Sequence, residues 1–218
     1  MSPDIYAIGD IHGCLDQLKR LLKQVNPDLH RHRLVFIGDY IDRGPDSKGV
    51  VDYIINLRKQ FPPENIICLK GNHEAMFLDF LNGVQPELFL FNGGGSTLRQ
   101  YWGEDWERHQ PWRLPPEHEE FYANLKLYYV TDNYIFVHGG LKPGVPLEEQ
   151  REEDLLWIRG EFIASFEDFG RRVVFGHTPL RYPLVMPNKI GIDTGCVYGN
   201  FLTCLKLPAE EFFFVGYD

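Results

Sequence analysis

Five short polar runs bring together residue types that hold divalent metals and phosphate: Gly9-Asp10-Ile11-His12-Gly13, Gly38-Asp39-Tyr40-Ile41-Asp42-Arg43-Gly44, Gly71-Asn72-His73-Glu74, His138-Gly139-Gly140 and Gly176-His177-Thr178. Aspartate, histidine and asparagine offer hard-to-borderline oxygen and nitrogen donors suited to Mn²⁺, Fe or Zn²⁺, and no thiolate stands among them. One carboxylate can bridge two ions. Asp10, His12, Asp39, Asn72, His138 and His177 are therefore enough donors for a two-metal site with ions roughly 3.5–4 Å apart. Two dications there would lower the pKa of a shared water and neutralise phosphate oxygens during in-line attack. Arginine supplies planar, bidentate donors matched to phosphate, which lysine does not.

Each run follows an apolar segment. Residues 4–8, 34–37 and 66–69 are short, β-branched and apolar, and predict three strands. Between them Leu15, Leu18, Leu21, Leu22 and Val25 recur at helical spacing and predict an amphipathic helix that Asn26-Pro27 terminates. A second helix is predicted with Ser47 as its N-cap and Val50, Val51, Ile54, Ile55 and Leu57 on its apolar face, and a short third helix over 75–81. Residues 83–124 break this alternation with Gly93-Gly94-Gly95, Trp102, Trp106, Trp112, Pro115-Pro116 and an acidic run at 117–120. They predict a helical or irregular insertion over the sheet. Further strands are predicted at 126–130 and 134–137, across an Asp132-Asn133 turn, and at 173–175, 190–192, 201–205 and 212–215.

The expectation is an α/β fold, a mixed β-sandwich flanked by helices, formed by one domain over residues 1–218. Its N-terminal half would be βαβαβ and its C-terminal half antiparallel-rich. The polar runs then fall in loops at the carboxyl edge of the sheet, where ligand sites of open α/β sheets lie.

With 22 Lys+Arg against 31 Asp+Glu the net charge is −9, and no basic run occurs, which argues against nucleic acid and anionic membranes as partners. No basic stretch followed by an apolar segment opens the chain and no run of 18 apolar residues is present, so a cytoplasmic protein is expected. Cys14, Cys68, Cys196 and Cys204 are scattered without a C-x-x-C pair and read as reduced thiols.

In their order the runs GDIHG, GDYIDRG, GNHE, HGG and GHT resemble the calcineurin-like metallophosphoesterases, and within them the bacterial type of Ser/Thr protein phosphatases of the phosphoprotein phosphatase family. The resemblance implies αββα layers. It implies that Asp10 and His12 bind one metal, that Asp39 bridges, and that Asn72, His138 and His177 bind the other. A metal-bridging hydroxide would attack in line, His73 would protonate the leaving oxygen as general acid with Asp42 orienting it, and Arg43 would clamp the phosphoryl oxygens. Trp157-Ile158-Arg159 resembles the W-x-R run of small bacterial and phage members, which makes Arg159 the second clamp. Two divalent ions are implied, manganese first, with Fe, Zn, Co or Ni accepted by the same donors. The implied partner is a phosphorylated protein or peptide, with small phosphoesters hydrolysed in vitro.

Symmetrical dinucleoside polyphosphate hydrolases are similar in the N-terminal motifs and around Ile192-Asp193-Thr194-Gly195-Cys196. That family lacks the acid at the place of Asp42 and carries Asp at the place of Glu74, so a protein Ser/Thr phosphatase is expected first. A non-catalytic scaffold of this fold should have lost donors or the acid, and all are present. Cys14 and Arg20 have the C-x5-R spacing of cysteine-dependent phosphatases, but the leucines place that stretch on a helix. Gly93-Gly94-Gly95-Ser96-Thr97 lacks the G-K-[ST] ending of a P-loop and reads as a flexible turn. His30, His32, His109 and His118 read as surface, residues 117–120 as a solvated acidic face, and the three tryptophans as a cap on the core or, alternatively, the lining of a substrate cleft.

Overall fold

The computed structural model describes residues 3–217. Strand β1 (Ile5–Ile8) is buried on both faces: Tyr6 and Ile8 point toward helices, Ile5 and Ala7 toward a second sheet. A strand with two buried faces reads as a continuous apolar run rather than an alternating one. On one side β1 pairs in parallel with β2 (Arg33–Phe36), and β2 with β3 (Ile66–Cys68). The crossovers are α1 (Leu15–Val25) and α2 (Ser47–Gln60). On its other side β1 pairs antiparallel with β9 (Leu202–Leu207), which carries the edge strand β10 (Glu211–Val215).

The second sheet has β5 (Tyr134–Val137), β6 (Arg172–Phe175) and β8 (Lys189–Gly191) parallel at its centre. Two antiparallel edges flank them, β4 (Tyr128–Val130) and β7 (Leu184–Val185). Ile5, Ala7, Val35 and Leu205 of the first sheet meet Phe136, Val174 and Ile190 of the second. Beyond the second sheet, Val137, Val173 and Phe175 pack on Leu155 of α7 (Glu152–Trp157) and Phe162 of α8 (Gly160–Ala164). The expected helix–sheet–sheet–helix layering is therefore present.

The C-terminal half is antiparallel-rich as expected, through the pairings of β4 with β5, β7 with β8, β9 with β10 and β9 with β1, but the centre of the second sheet is parallel and the last two strands leave it to complete the first sheet. The N-cap of α2 is Asp46, whose carboxylate accepts the Gly49 N–H at 2.9 Å; Ser47 lies one residue inside the helix, buried, with its hydroxyl accepting the Asp42 N–H at 2.9 Å. Helix α3 (Asn72–Leu81) begins three residues before the predicted start, so Asn72 and His73 sit in its first turn rather than in a loop.

Residues 83–124 form α4 (Pro86–Phe91), α5 (Gly95–Trp102), a 3₁₀ turn (Trp106–Arg108) and α6 (Pro116–Ala123). The three tryptophans pack partly buried against the helical-side core, as the capping reading expects. The glycine run forms a turn that leads into α5. Gly94 caps α5 against the Phe89 ring, and the Gly93 carbonyl accepts the Arg43 N–H at 3.3 Å. His118 is not on the surface either: it is 2% exposed, bonded to the Tyr101 hydroxyl at 2.6 Å and to Asp52 at 2.8 Å. The C-x5-R stretch is the start of α1, as its leucines require. No helix of the described residues is long and apolar enough to cross a membrane.

Phe80 of α3 touches the rings of Phe89, Trp106 and Trp112, with centroids 5.2, 5.9 and 4.5 Å away. Phe80→Ala should lower unfolding free energy by ~3–5 kcal/mol, read from the urea midpoint. Tryptophan fluorescence and far-UV circular dichroism should shift together if the insertion and the sheets unfold as one unit.

Candidate dinuclear metal site

Four loops converge at the carboxyl ends of β1, β2, β5 and β6, together with the N-terminus of α3, and backbone bonds lock them to one another. Ile11 and His12 donate their N–H groups to the Asp39 carbonyl at 3.0 and 2.9 Å, and Gly176 donates to the His138 carbonyl at 2.8 Å. Glu74, fully buried, turns its carboxylate back to accept the N–H groups of Asp39, Tyr40 and Gly71, each at 2.9 Å. It is therefore the anchor of the second loop.

The ligand-type side chains gather around Asp39. Its carboxylate, His12 and His73 bring one nitrogen or oxygen each within 4.8 Å of one another, and so do Asp39, His138 and His177. Asp10 lies next to these groups, and its carboxylate accepts the backbone N–H of His177 at 3.0 Å. Asn72 Oδ1 lies 3.0 Å from His138 Nε2. All six residues expected as ligands are buried, none more than 4% exposed. Close approach needs small neighbours: a Cβ on Gly71 would overlap Asp39 Oδ1, and one on Gly176 would overlap Asp10 Oδ1.

The tautomers are set from behind. His12 Nδ1 bonds the Ile41 carbonyl at 2.7 Å and His138 Nδ1 the Ile37 carbonyl at 3.0 Å, which turns both Nε2 atoms toward the site. Burial lowers the His12 imidazole to about 3 and that of His177 to about 2, so both are neutral donors at physiological pH. Burial also opposes charge on His138, but Asp39, Asp10 and Glu74 outweigh it and push the imidazole up to about 9. Burial and the neighbouring Asp193 and Asp39 carboxylates raise the Asp10 carboxyl well above its usual range.

Two dications fit this set. His177 Nε2 is buried without a hydrogen-bond partner. Asp10, Asp39 and Asp193 crowd negative charge into one buried region, and the donors are oxygen and imidazole nitrogen throughout.

His73 stands beside the cluster with its Nδ1 2.5 Å from Asp42 Oδ2. Asp42 is fully buried, and burial raises its carboxyl while lowering the His73 imidazole to about 4. Arg43 turns its guanidinium onto His12 Nε2 at 2.7 Å, with the Tyr198 ring 5.7 Å away. Arg159 is exposed at the N-cap of α8, and its charge depresses both His73 and His177. Sequence reasoning missed three neighbours of these groups: Ser47 and Thr97, which bond Asp42, and Tyr198.

Residues 3–206 match the family model described as calcineurin-like phosphoesterase. The chain is 29% identical to an asymmetrical bis(5'-nucleosyl)-tetraphosphatase, PrpE, of Oceanobacillus iheyensis, over 94% of this chain and 89% of that protein. It is 32% identical to serine/threonine-protein phosphatase 1 of Salmonella typhimurium, over 93% of this chain and 91% of that one. A crystal structure provisionally assigned as a diadenosine tetraphosphatase superposes with a TM-score of 0.79 at 26% identity, covering 100% of this chain and 96% of that one.

Mn²⁺ titrated into metal-free protein at pH 7 should displace protons, His138 among their sources. Binding heats measured in two buffers of different ionisation enthalpy should reveal this release. The His138 share should vanish as the pH passes about 9, where the imidazole is already neutral.

Proposed function

The chain belongs to the calcineurin-like phosphoesterases, and we propose that it is a metal-dependent phosphomonoesterase acting on phosphoserine and phosphothreonine in proteins. In this reading Asp10, His12 and Asp39 hold one ion, and Asp39, Asn72, His138 and His177 the other. When bound, the two ions supply an activated water at neutral pH and neutralise phosphate oxygens. Arg43 and Arg159 orient the phosphoryl group from the rim, with planar donors matched to its oxygens. Water adds to phosphorus, the P–O ester bond breaks, and the leaving oxygen takes a proton from His73 Nε2; the products are the alcohol and inorganic phosphate. Asp42 holds the imidazole by Nδ1 and stabilises its positive charge. A phosphate dianion beside the ring adds the negative charge that raises its proton affinity again.

The observation that carries this reading is the buried His73–Asp42 pair. A serine or threonine alkoxide is strongly basic and leaves only if protonated, which is what a held imidazole supplies. A phosphate leaving group needs much less of this help.

A second reading, an asymmetrical dinucleoside tetraphosphatase, is supported by the Oceanobacillus relative. It is also supported by Tyr198, an exposed residue whose ring lies 5.7 Å from the Arg43 guanidinium and could carry a nucleobase beside the phosphate clamps.

Turnover of a phosphoserine peptide, a phosphotyrosine peptide and a dinucleoside tetraphosphate by the manganese-loaded enzyme decides between them. The peptide bearing phosphoserine should be preferred, and a strong preference for the dinucleotide would establish the second reading. His73→Ala should keep its metal yet lose on the order of 10²-fold or more in kcat on alkyl phosphates, and far less on p-nitrophenyl phosphate. Equal losses on both would remove His73 as the acid.

A further inference from the structure

The insertion reaches into the site at one point. Thr97, in the second half-turn of α5, is fully buried, and its hydroxyl donates to Asp42 Oδ1 at 2.6 Å. The same oxygen accepts the Asp42 N–H at 3.0 Å, sharing it with the Ser47 hydroxyl at 2.9 Å. An ionised Asp42 carboxylate has no proton to give, so the Thr97 hydroxyl is the donor in this bond. The other carboxylate oxygen, Oδ2, is on His73 Nδ1. Asp42 is thus gripped at both oxygens and at its backbone nitrogen.

The grip acts on a strained segment. Asp42 and Arg43 have φ of +73° and +68°, a left-handed pair of non-glycine residues. The insertion meets both: Thr97 bonds Asp42, and the Gly93 carbonyl accepts the Arg43 N–H. Without the Thr97 hydroxyl, Oδ1 would be left buried without its donor and the carboxylate would be free to rotate away from His73.

We propose that Thr97 is a positioning residue of the phosphoryl-transfer reaction, holding the Asp42 carboxylate against His73 so that the proton on His73 reaches the leaving oxygen; this rests on the reading of His73 as the general acid. The residue works through Asp42 and touches no substrate. Its position also gives the insertion at 83–124 a role in the chemistry.

The test uses the manganese-loaded enzyme and a series of aryl phosphates of rising leaving-group basicity, with metal content and thermal midpoint measured for each variant. Thr97→Val keeps the shape and removes the hydroxyl. Its kcat on the most basic leaving group should fall about tenfold, the loss expected for one charge-assisted hydrogen bond, while p-nitrophenyl phosphate changes less than about twofold. KM should stay the same throughout, and Thr97→Ser should restore the wild-type slope. Should the valine variant fail to fold, Thr97→Ala set against Thr97→Ser asks the same question.

An equal loss across the series, or no loss on the most basic leaving group, would overturn the proposal. His73→Asn on the same series separates the two ideas. A variant without leaving-group dependence refutes His73 as the acid, whereas a steep His73→Asn with a flat Thr97→Val refutes Thr97 alone. Thr97→Val added to His73→Asn should cost nothing more, and a further tenfold loss there would count against the proposal.

Discussion

Everything at the carboxyl edge depends on where the Asp39 carboxylate is held. Three imidazoles, those of His138, His73 and His12, hold it well below the usual carboxylate range despite complete burial. Its Oδ1 accepts the His73 N–H at 3.1 Å, so the same group caps α3 at the positive end of the helix. Its backbone N–H is in turn held by Glu74, from the first turn of that helix. Loop and helix therefore fix each other through two carboxylates. A shift of either would move donors on both sides of the cluster, which is why one residue stands in both groups of ligand atoms.

The second constraint is backbone strain. His12, Asp39, Asp42, Arg43 and His177 all have φ between +45° and +73°, conformations of order 1–3 kcal/mol each for residues with a Cβ. The glycines beside them serve mainly as clearance, since Gly71 and Gly176 would clash with Asp39 and Asp10 if they carried a side chain. Such a set persists only on a rigid support. The support here is two sheets buried on both faces, with loops whose N–H groups are bonded across the site.

Much of this was legible in the sequence because strand, glycine and ligand follow one another within a few residues. That local order alone places Asp10, His12, Asp39, Asn72, His138 and His177 at one edge. What stayed hidden is non-local. The return of β9 to pair with β1 cannot be read from an apolar run that fits either sheet. Thr97 looked like the end of a failed phosphate loop, since its partner lies 55 residues away. His118 sits among exposed glutamates and is buried only because Tyr101 and Asp52, on other helices, complete its hydrogen bonds. Ser47 follows the residue that takes the capping role, and its hydroxyl is spent on Asp42 instead.

The position of β1 bears on how the molecule is made. This strand, which leads directly into Asp10, is central in its sheet, between β2 at residues 33–36 and β9 at 202–207. During vectorial synthesis the parallel partner becomes available early and the antiparallel one only after every strand of the second sheet has been made. Until then one edge of β1 exposes unpaired backbone groups, and the loop that carries Asp10 and His12 lacks the bond from the Gly9 N–H to the Thr203 carbonyl that seats it. High contact order of this kind slows folding and delays assembly of the site to its last step. A nascent chain would thus bring its buried aspartates and histidines together only as the sandwich that supports them closes.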